Sequence, residues 1–173
     1  ESREGFPPGI DPAKPYLLVM LHPVTTEDDA ANRAMVTSVL RVLERMRMPT
    51  VLVWGNSDAY SRMVGPAVAE WIETRRPPFL YATKLMQPDV YARMLARAAC
   101  ALGNSSSFIR EGAYLGTPAV IVGNRQQGRE RAENVTEVPA DAEKIEQAVR
   151  AQLAHGKYAR SALFGDGRSG ERI

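Results

Sequence analysis

Residues 103–125 read GNSSSFIREGAYLGTPAVIVGNR. The apolar run Ala99, Cys100, Ala101, Leu102 leads into Gly103-Asn104. Three serines and the run Phe108 to Ala113 follow, and Gly116-Thr117-Pro118 turns the chain into the apolar run Ala119 to Val122. The pattern is strand, polar turn, short helix, tight turn, strand. Ser105, Ser106 and Ser107 stand where the helix begins. A helix N-terminus leaves backbone N–H groups unpaired and carries partial positive charge. With serine hydroxyls beside it, such a terminus suits an anion such as a phosphate. The plain alternative is that one serine caps the helix. Glu111 does not fit an anion site, because a carboxylate repels phosphate. It suits a diol, which donates two hydrogen bonds to a carboxylate, or it is a solvated helix residue favoured by the dipole.

Outward from this stretch the same unit repeats. Tyr16 to Leu21 (YLLVML) is a continuous apolar run, as in a strand buried on both faces. It ends at His22-Pro23-Val24-Thr25-Thr26. Ligands of open parallel sheets bind beyond the C-terminal ends of the strands, so His22 falls at the expected place; a packed loop histidine is the alternative. Thr26 is the expected cap of a helix carrying Met35, Val36, Val39, Leu40, Leu43 and Met46 on one face. Thr50 to Trp54 is the second strand, and Gly55-Asn56-Ser57-Asp58 its exit turn. A helix is predicted over 59–74, kinked at Gly65-Pro66. Phe79 to Ala82 is a short third strand with Lys84 to Gln87 as its exit. Pro88 opens a helix to about Ala98. After the fifth strand comes the polar stretch 123–131 with Arg125, then an extended segment from Glu133 to Val138. Asp141 caps a last helix, and the Gly-rich remainder reads as a mobile tail.

Strands alternating with helices over short connections imply βαβ units with right-handed crossovers. The expected fold is α/β, a Rossmann-like three-layer αβα arrangement with a parallel sheet ordered 3-2-1-4-5-6. Residues 1–15 are read as an entry arm, 16–156 as the domain and 157–173 as a C-terminal tail or helix start. His22, residues 56–58, residues 84–87, Ser105 to Ser107 and Arg125 all follow strands, and so converge on one edge.

The chain has 173 residues, 45% apolar and 24% charged, with a formal net charge of +2. That charge is too small to argue for nucleic acid. One cysteine, Cys100, lies in an apolar run and reads as a small core residue. With only two histidines besides, a zinc site is disfavoured. No run of 18 apolar residues suggests a membrane span. No G-x-G-x-x-G follows the first strand, so no dinucleotide cofactor is expected. The chain begins at Glu1 without an initiator Met, which reads as a piece of something longer. A reducing, cytoplasmic location is the expectation.

Several blocks together resemble the C-terminal domain of UDP-N-acetylglucosamine 2-epimerases, in the hydrolysing branch serving sialic and nonulosonic acids. They are HPVT from His22, Gly55-Asn56 to Asp58-Ala59, Gly103 to Ser106, Ile109-Arg110-Glu111, Gly116-Thr117-Pro118, GNRQQGRERAENV from Gly123, and Gly165-Asp166-Gly167 with Ser169 to Ile173. The resemblance implies one half of a GT-B fold, holding uridine diphosphate and needing no cofactor or metal. It implies that Ser105 and Ser106 bind the diphosphate, Glu111 takes the ribose hydroxyls and Arg125 lies beside the nucleotide. Asn56 would sit near the diphosphate or sugar, backbone around Met86 would read the uracil, and His22 would reach the sugar–diphosphate linkage as the catalytic donor. The implied reaction takes UDP-GlcNAc and water to ManNAc and UDP, by anti elimination to 2-acetamidoglucal. In that family the acids that handle the sugar protons lie on the N-terminal domain, so this fragment is expected to be inactive alone. Full-length members are often homodimers. Competing readings are a GT-B glycosyltransferase nucleotide domain and a non-catalytic sugar-nucleotide-binding domain. One departure stands out. Phe108 occupies the position where the family usually has Gly after the serines, and is expected to reshape the pocket or to change the sugar or nucleotide accepted.

Overall fold

A strand that is apolar at every position must be covered on both faces. Leu17, Leu18 and Val19 are all fully buried, as are Cys100, Ala101 and Leu102. The computed structural model that shows this describes residues 5–54, 64–83 and 87–172. Its strands are β1 (Leu17–Met20), β2 (Thr50–Val53), β3 (Leu80–Thr83), β4 (Cys100–Gly103), β5 (Ala119–Val122) and β6 (Val135–Val138). Its helices are α1 (Asp29–Met46), α2 (Gly65–Arg75), α3 (Pro88–Arg97), α4 (Ser106–Leu115) and α5 (Ala142–His155). All strand pairs are parallel, in the order β3-β2-β1-β4-β5-β6. This is the expected α/β three-layer arrangement.

The period-2 alternation of a strand sorts the core into two clusters. Leu17, Val19, Leu52, Leu102, Val120 and Val122 face one way, against α1, α2 and α5. Leu18, Val51, Val53, Ala101, Ala119 and Ile121 face the other, against α3 and α4. Phe108 belongs to this second cluster and is fully buried. It lines no open surface, so it fills the core beneath α4 instead of reshaping a pocket.

Two helix starts differ from the sequence reading. Asp28, not Thr26, caps α1: its Oδ1 accepts the Ala31 N–H at 2.8 Å. A turn closed by the Glu27 N–H on the Val24 carbonyl, at 3.0 Å, comes first. Gly65-Pro66 starts α2, with Pro66 in its first turn. A missing N–H costs nothing there, so Pro66 suits the start of α2. The rest of that predicted helix, 59–63, lies outside the described residues. Asp141 caps α5 as expected, accepting the Lys144 N–H at 2.9 Å.

The described segments before β1 and after α5 pack against the domain. Ile10 and Tyr16 are buried in the second cluster, and Phe6 meets the Tyr16 ring edge-on at 6.3 Å. Beyond α5 the chain runs back along α4. The Tyr158 N–H donates to the Gly116 carbonyl at 2.9 Å and the Ser161 N–H to the Ala113 carbonyl at 3.0 Å. Among the described residues no helix is long and apolar enough to cross a membrane.

Gly103, the last residue of β4, has φ +145°. A Cβ there would lie 2.0 Å from the Met20 carbonyl oxygen of the neighbouring strand. Gly103→Ala is therefore expected to cost about 2–4 kcal/mol through clash and backbone strain, lowering Tm by roughly 5–15 °C. A melt within about 1 °C of wild type would show that β1 and β4 do not approach this closely.

Candidate functional site

The strand order reverses between β1 and β4, and in such sheets the crevice at that point binds ligands. The exits of β1, β4 and β5 meet there on one residue, Asn104, whose side chain is fully buried. The His22 N–H donates to Asn104 Oδ1 at 2.7 Å, and Asn104 Nδ2 donates to the His22 carbonyl at 2.8 Å. From the β5 exit, Arg125 Nη1 donates to the Asn104 carbonyl at 3.1 Å and Gln126 Nε2 to the same oxygen at 2.8 Å. His22 and Arg125, far apart in the chain, are thus brought together on Asn104.

The electrostatics of this pair are set by burial. Partial burial of the His22 ring, and secondarily the positive charge of Arg125, hold its pKa below the ordinary 6.5. At neutral pH His22 is uncharged, with one N–H donor and one acceptor nitrogen. Burial and the nearby Arg129 lower the Arg125 pKa from 12.5, but a guanidinium remains cationic.

At the N-terminus of α4 the serines divide their work. Ser105 is the cap, its Oγ accepting the Ser107 N–H at 3.4 Å, and it lies 2.9 Å from Ser107 Oγ. Ser107 Oγ in turn shares a short hydrogen bond with the Tyr91 hydroxyl of α3. Burial pushes the Tyr91 pKa up to about 12, the Ser107 bond opposing this and Glu111 adding to it. Ser106 is the first residue of the helix, half-buried, and its N–H has no intrahelical partner. The first turn holds no acid. The capping and anion readings are therefore compatible: Ser105 spends its oxygen on the cap, while the helix terminus keeps its positive end.

Glu111 lies further along α4 and is exposed. It lines a concavity with Arg110, Tyr114, Leu115 and Phe164. Arg125 lines a different one, with Pro23, Thr25 and Asn124. The carboxylate is thereby kept out of the first turn. Asn56 and Met86 lie outside the described residues. Among the described residues no group of three His, Cys, Asp or Glu side chains is placed to hold a metal ion. Cys100 is buried, and burial pushes its thiol pKa up to about 12. From the amino-acid sequence no role follows for Asn104 or Gln126, and Tyr91 reads only as an inward residue of its helix. The Gly-Asn pair before the serines was the one available signal, since a polar residue at the end of a buried strand needs a partner.

The family model described as UDP-N-acetylglucosamine 2-epimerase matches residues 3–173. A protein of Legionella pneumophila named UDP-N,N'-diacetylbacillosamine 2-epimerase (hydrolyzing) is 32% identical over 164 residues, covering 95% of this chain and 42% of that protein. A UDP-N-acetylglucosamine 2-epimerase of Neisseria meningitidis is 24% identical, over 90% of this chain and 40% of that protein. The chain thus spans less than half the length of these curated relatives. Among solved structures, the Methanocaldococcus jannaschii UDP-GlcNAc 2-epimerase in complex with UDP-GlcNAc and UDP matches with TM-score 0.70 at 17% identity, over 91% of this chain and 43% of that one. An Escherichia coli heptosyltransferase with ADP matches with TM-score 0.54 at 16% identity, over 79% of this chain and 44% of that one. At such identities the likeness is one of fold, that of one half of a GT-B architecture. Because that family model matches residues 3–173, almost the whole of this chain, the chain belongs to the UDP-N-acetylglucosamine 2-epimerase family.

Proposed function

We propose that this chain is the nucleotide-holding half of a hydrolysing, cytoplasmic UDP-N-acetylglucosamine 2-epimerase. The observation that carries the reading is the meeting of three groups at the strand-order reversal: the acid-free N-terminus of α4, the cation Arg125 and the neutral donor His22, the last two held on Asn104. A diphosphate has charge for the helix terminus and the guanidinium to bind. In this reading the first-turn amides and the Ser105 and Ser106 region take the diphosphate. Glu111, set apart from the phosphates, accepts the ribose hydroxyls. Asn56 and the backbone around Met86 are assigned to the diphosphate or sugar and to the uracil. The name of the L. pneumophila relative supports the hydrolysing branch.

The chemistry follows. A base on the absent half removes the C2 proton as the C1–oxygen bond breaks, giving 2-acetamidoglucal and UDP. Water then adds its hydroxyl at C1, and a proton returns to C2 on the opposite face, leaving ManNAc. This chain supplies stabilisation of the departing diphosphate: fixed N–H donors and Arg125 where charge develops, and the His22 imidazole as donor to the departing oxygen. The fragment alone lacks the base and turns nothing over.

In calorimetry, UDP is expected to bind the isolated chain, and Arg125→Ala and Glu111→Ala each to weaken it about 10–100-fold, the loss of one charge-assisted contact. A folded chain that ignores UDP, or variants that bind as wild type, would sink the assignment. UDP-GlcNAc should be left unchanged by the chain alone, as read by NMR of the sugar anomers.

A pH effect also follows. The folded-state pKa of His22 is depressed, so the folded state binds fewer protons than the unfolded chain below pH 6.5. Its contribution to stability is complete above 6.5, is lost as pH falls toward the folded value, and is constant below it. Chemical denaturation between pH 8 and 5 is expected to show this decline, flattened in His22→Gln. An identical pH profile in the variant would refute it.

A further inference from the structure

The loop that carries His22 is not held by Asn104 alone. A second fully buried asparagine, Asn32 of α1, treats Val24 as Asn104 treats His22. The Val24 N–H donates to Asn32 Oδ1 at 2.8 Å, and Asn32 Nδ2 donates back to the Val24 carbonyl at 3.1 Å. The remaining Nδ2 proton of each amide is used as well, on the Asp28 carbonyl at 3.0 Å and on Met35 Sδ at 3.4 Å. Both amides are fully satisfied, so their burial carries no unpaired-group penalty.

Neither asparagine is where packing alone would put one. Asn32 occupies an inward position of α1, one turn ahead of Met35 and Val36, where an apolar residue would serve the core. Asparagine is also a poor helix former. Asn104 follows β4. Its own N–H donates to the Met20 carbonyl at 3.2 Å, the final rung between β1 and β4. The main chain must then turn at Ser105 to begin α4. The Asn104 amide, one acceptor and one donor, mimics the peptide group that the ladder has lost and adds a rung at His22. Pro23, between the two clasped residues, has a fixed φ and no N–H. Every backbone N–H from His22 to Val24 is therefore taken by an asparagine side chain.

We infer that Asn32 and Asn104 are positioning residues that clasp the His22-Pro23-Val24 backbone and so hold the His22 ring beside Arg125. The inference rests on the functional reading only for what His22 does, not for the clasp itself. A donor aimed at a leaving oxygen loses its value if it drifts by an ångström. A loop beyond a sheet edge drifts unless its backbone is bonded. Two reciprocal amide pairs, from two different elements, remove that freedom before any ligand arrives.

The clasp is tested first on the wild-type chain without nucleotide, by native-state amide hydrogen exchange. The His22 and Val24 amides are expected to be protected at least about 1000-fold more than that of the exposed Thr25 in the same loop. Exchange at the Thr25 rate would overturn the clasp. The positioning role is tested by NMR titration of the His22 ring in Asn32→Ala and Asn104→Ala, with the softer Asn32→Ser beside them. Release of the loop into solvent should bring its midpoint up toward 6.5, which thermal melts alone would not report. A lowered Tm with an unmoved His22 midpoint would mean the asparagines serve stability only, and would overturn the role. UDP calorimetry on the wild type stands apart from both. A chain with protected amides that ignores UDP sinks the nucleotide reading and leaves the clasp, whereas one that binds UDP with unprotected amides does the reverse.

Discussion

The site depends on a buried amide. Asn104 follows β4, and its side chain and carbonyl together bind the exits of β1 and β5. The reason lies in the geometry of a parallel sheet. Its ladder satisfies backbone groups only while the strands run, and each strand must leave the ladder to enter its helix. At that edge donors and acceptors fall vacant, and water or side chains must take them. Here one asparagine takes them, and so joins three loops that have no contact in sequence. Gly103 immediately before it allows the approach, since any Cβ would strike the Met20 carbonyl.

Charge is distributed around this joint with a consistent logic. The positive end of α4 and the Arg125 guanidinium share one side, where the first turn has no acid. The Arg125 charge also helps keep His22 uncharged, so that the imidazole is a donor and acceptor and not a third cation. Glu111 is displaced along α4 into another concavity, where its charge does not oppose an anion at the helix terminus. A single short helix thereby offers a positive end and a carboxylate side, two chemistries that one nucleotide carries in its phosphates and its ribose.

Rigidity is supplied from beneath. α4 is anchored by Phe108 and Ile109 in the core below and by the Tyr91–Ser107 hydrogen bond beside its first turn. Its far end is held by the returning chain, where Ser161 donates to the Ala113 carbonyl of its last turn, Tyr158 to the carbonyl of the capping Gly116, and Lys157 Nζ to Thr117 Oγ1 at 3.1 Å. Burial lowers the Lys157 pKa to about 8. That ammonium has no carboxylate partner among the described residues and serves as a tie. Preorganisation of the helix terminus is what makes its dipole effective, because donors that need not reorient cost nothing when charge develops.

The strand runs, their order and the placing of His22, the serines and Arg125 after strands were legible in the amino-acid sequence. Fully apolar runs bounded by turns have few structural solutions, and right-handed crossovers leave fewer. The helical phase of α1 was legible for the same reason. So was the serine terminus, because a cap is a local interaction. What the tertiary structure alone decided was which polar residues meet. The pairing of Asn104 with His22 spans 82 positions, and that of Asn104 with Arg125 spans 21. Asn32 reads as an ordinary helix residue until the Val24 loop lies against it. Phe108 reads as an intruder in the pocket until α4's phase turns it inward. Periodicity and caps are set by neighbours in sequence, which residue types reveal. A hydrogen bond between distant loops exists only once the sheet has brought their strands into register.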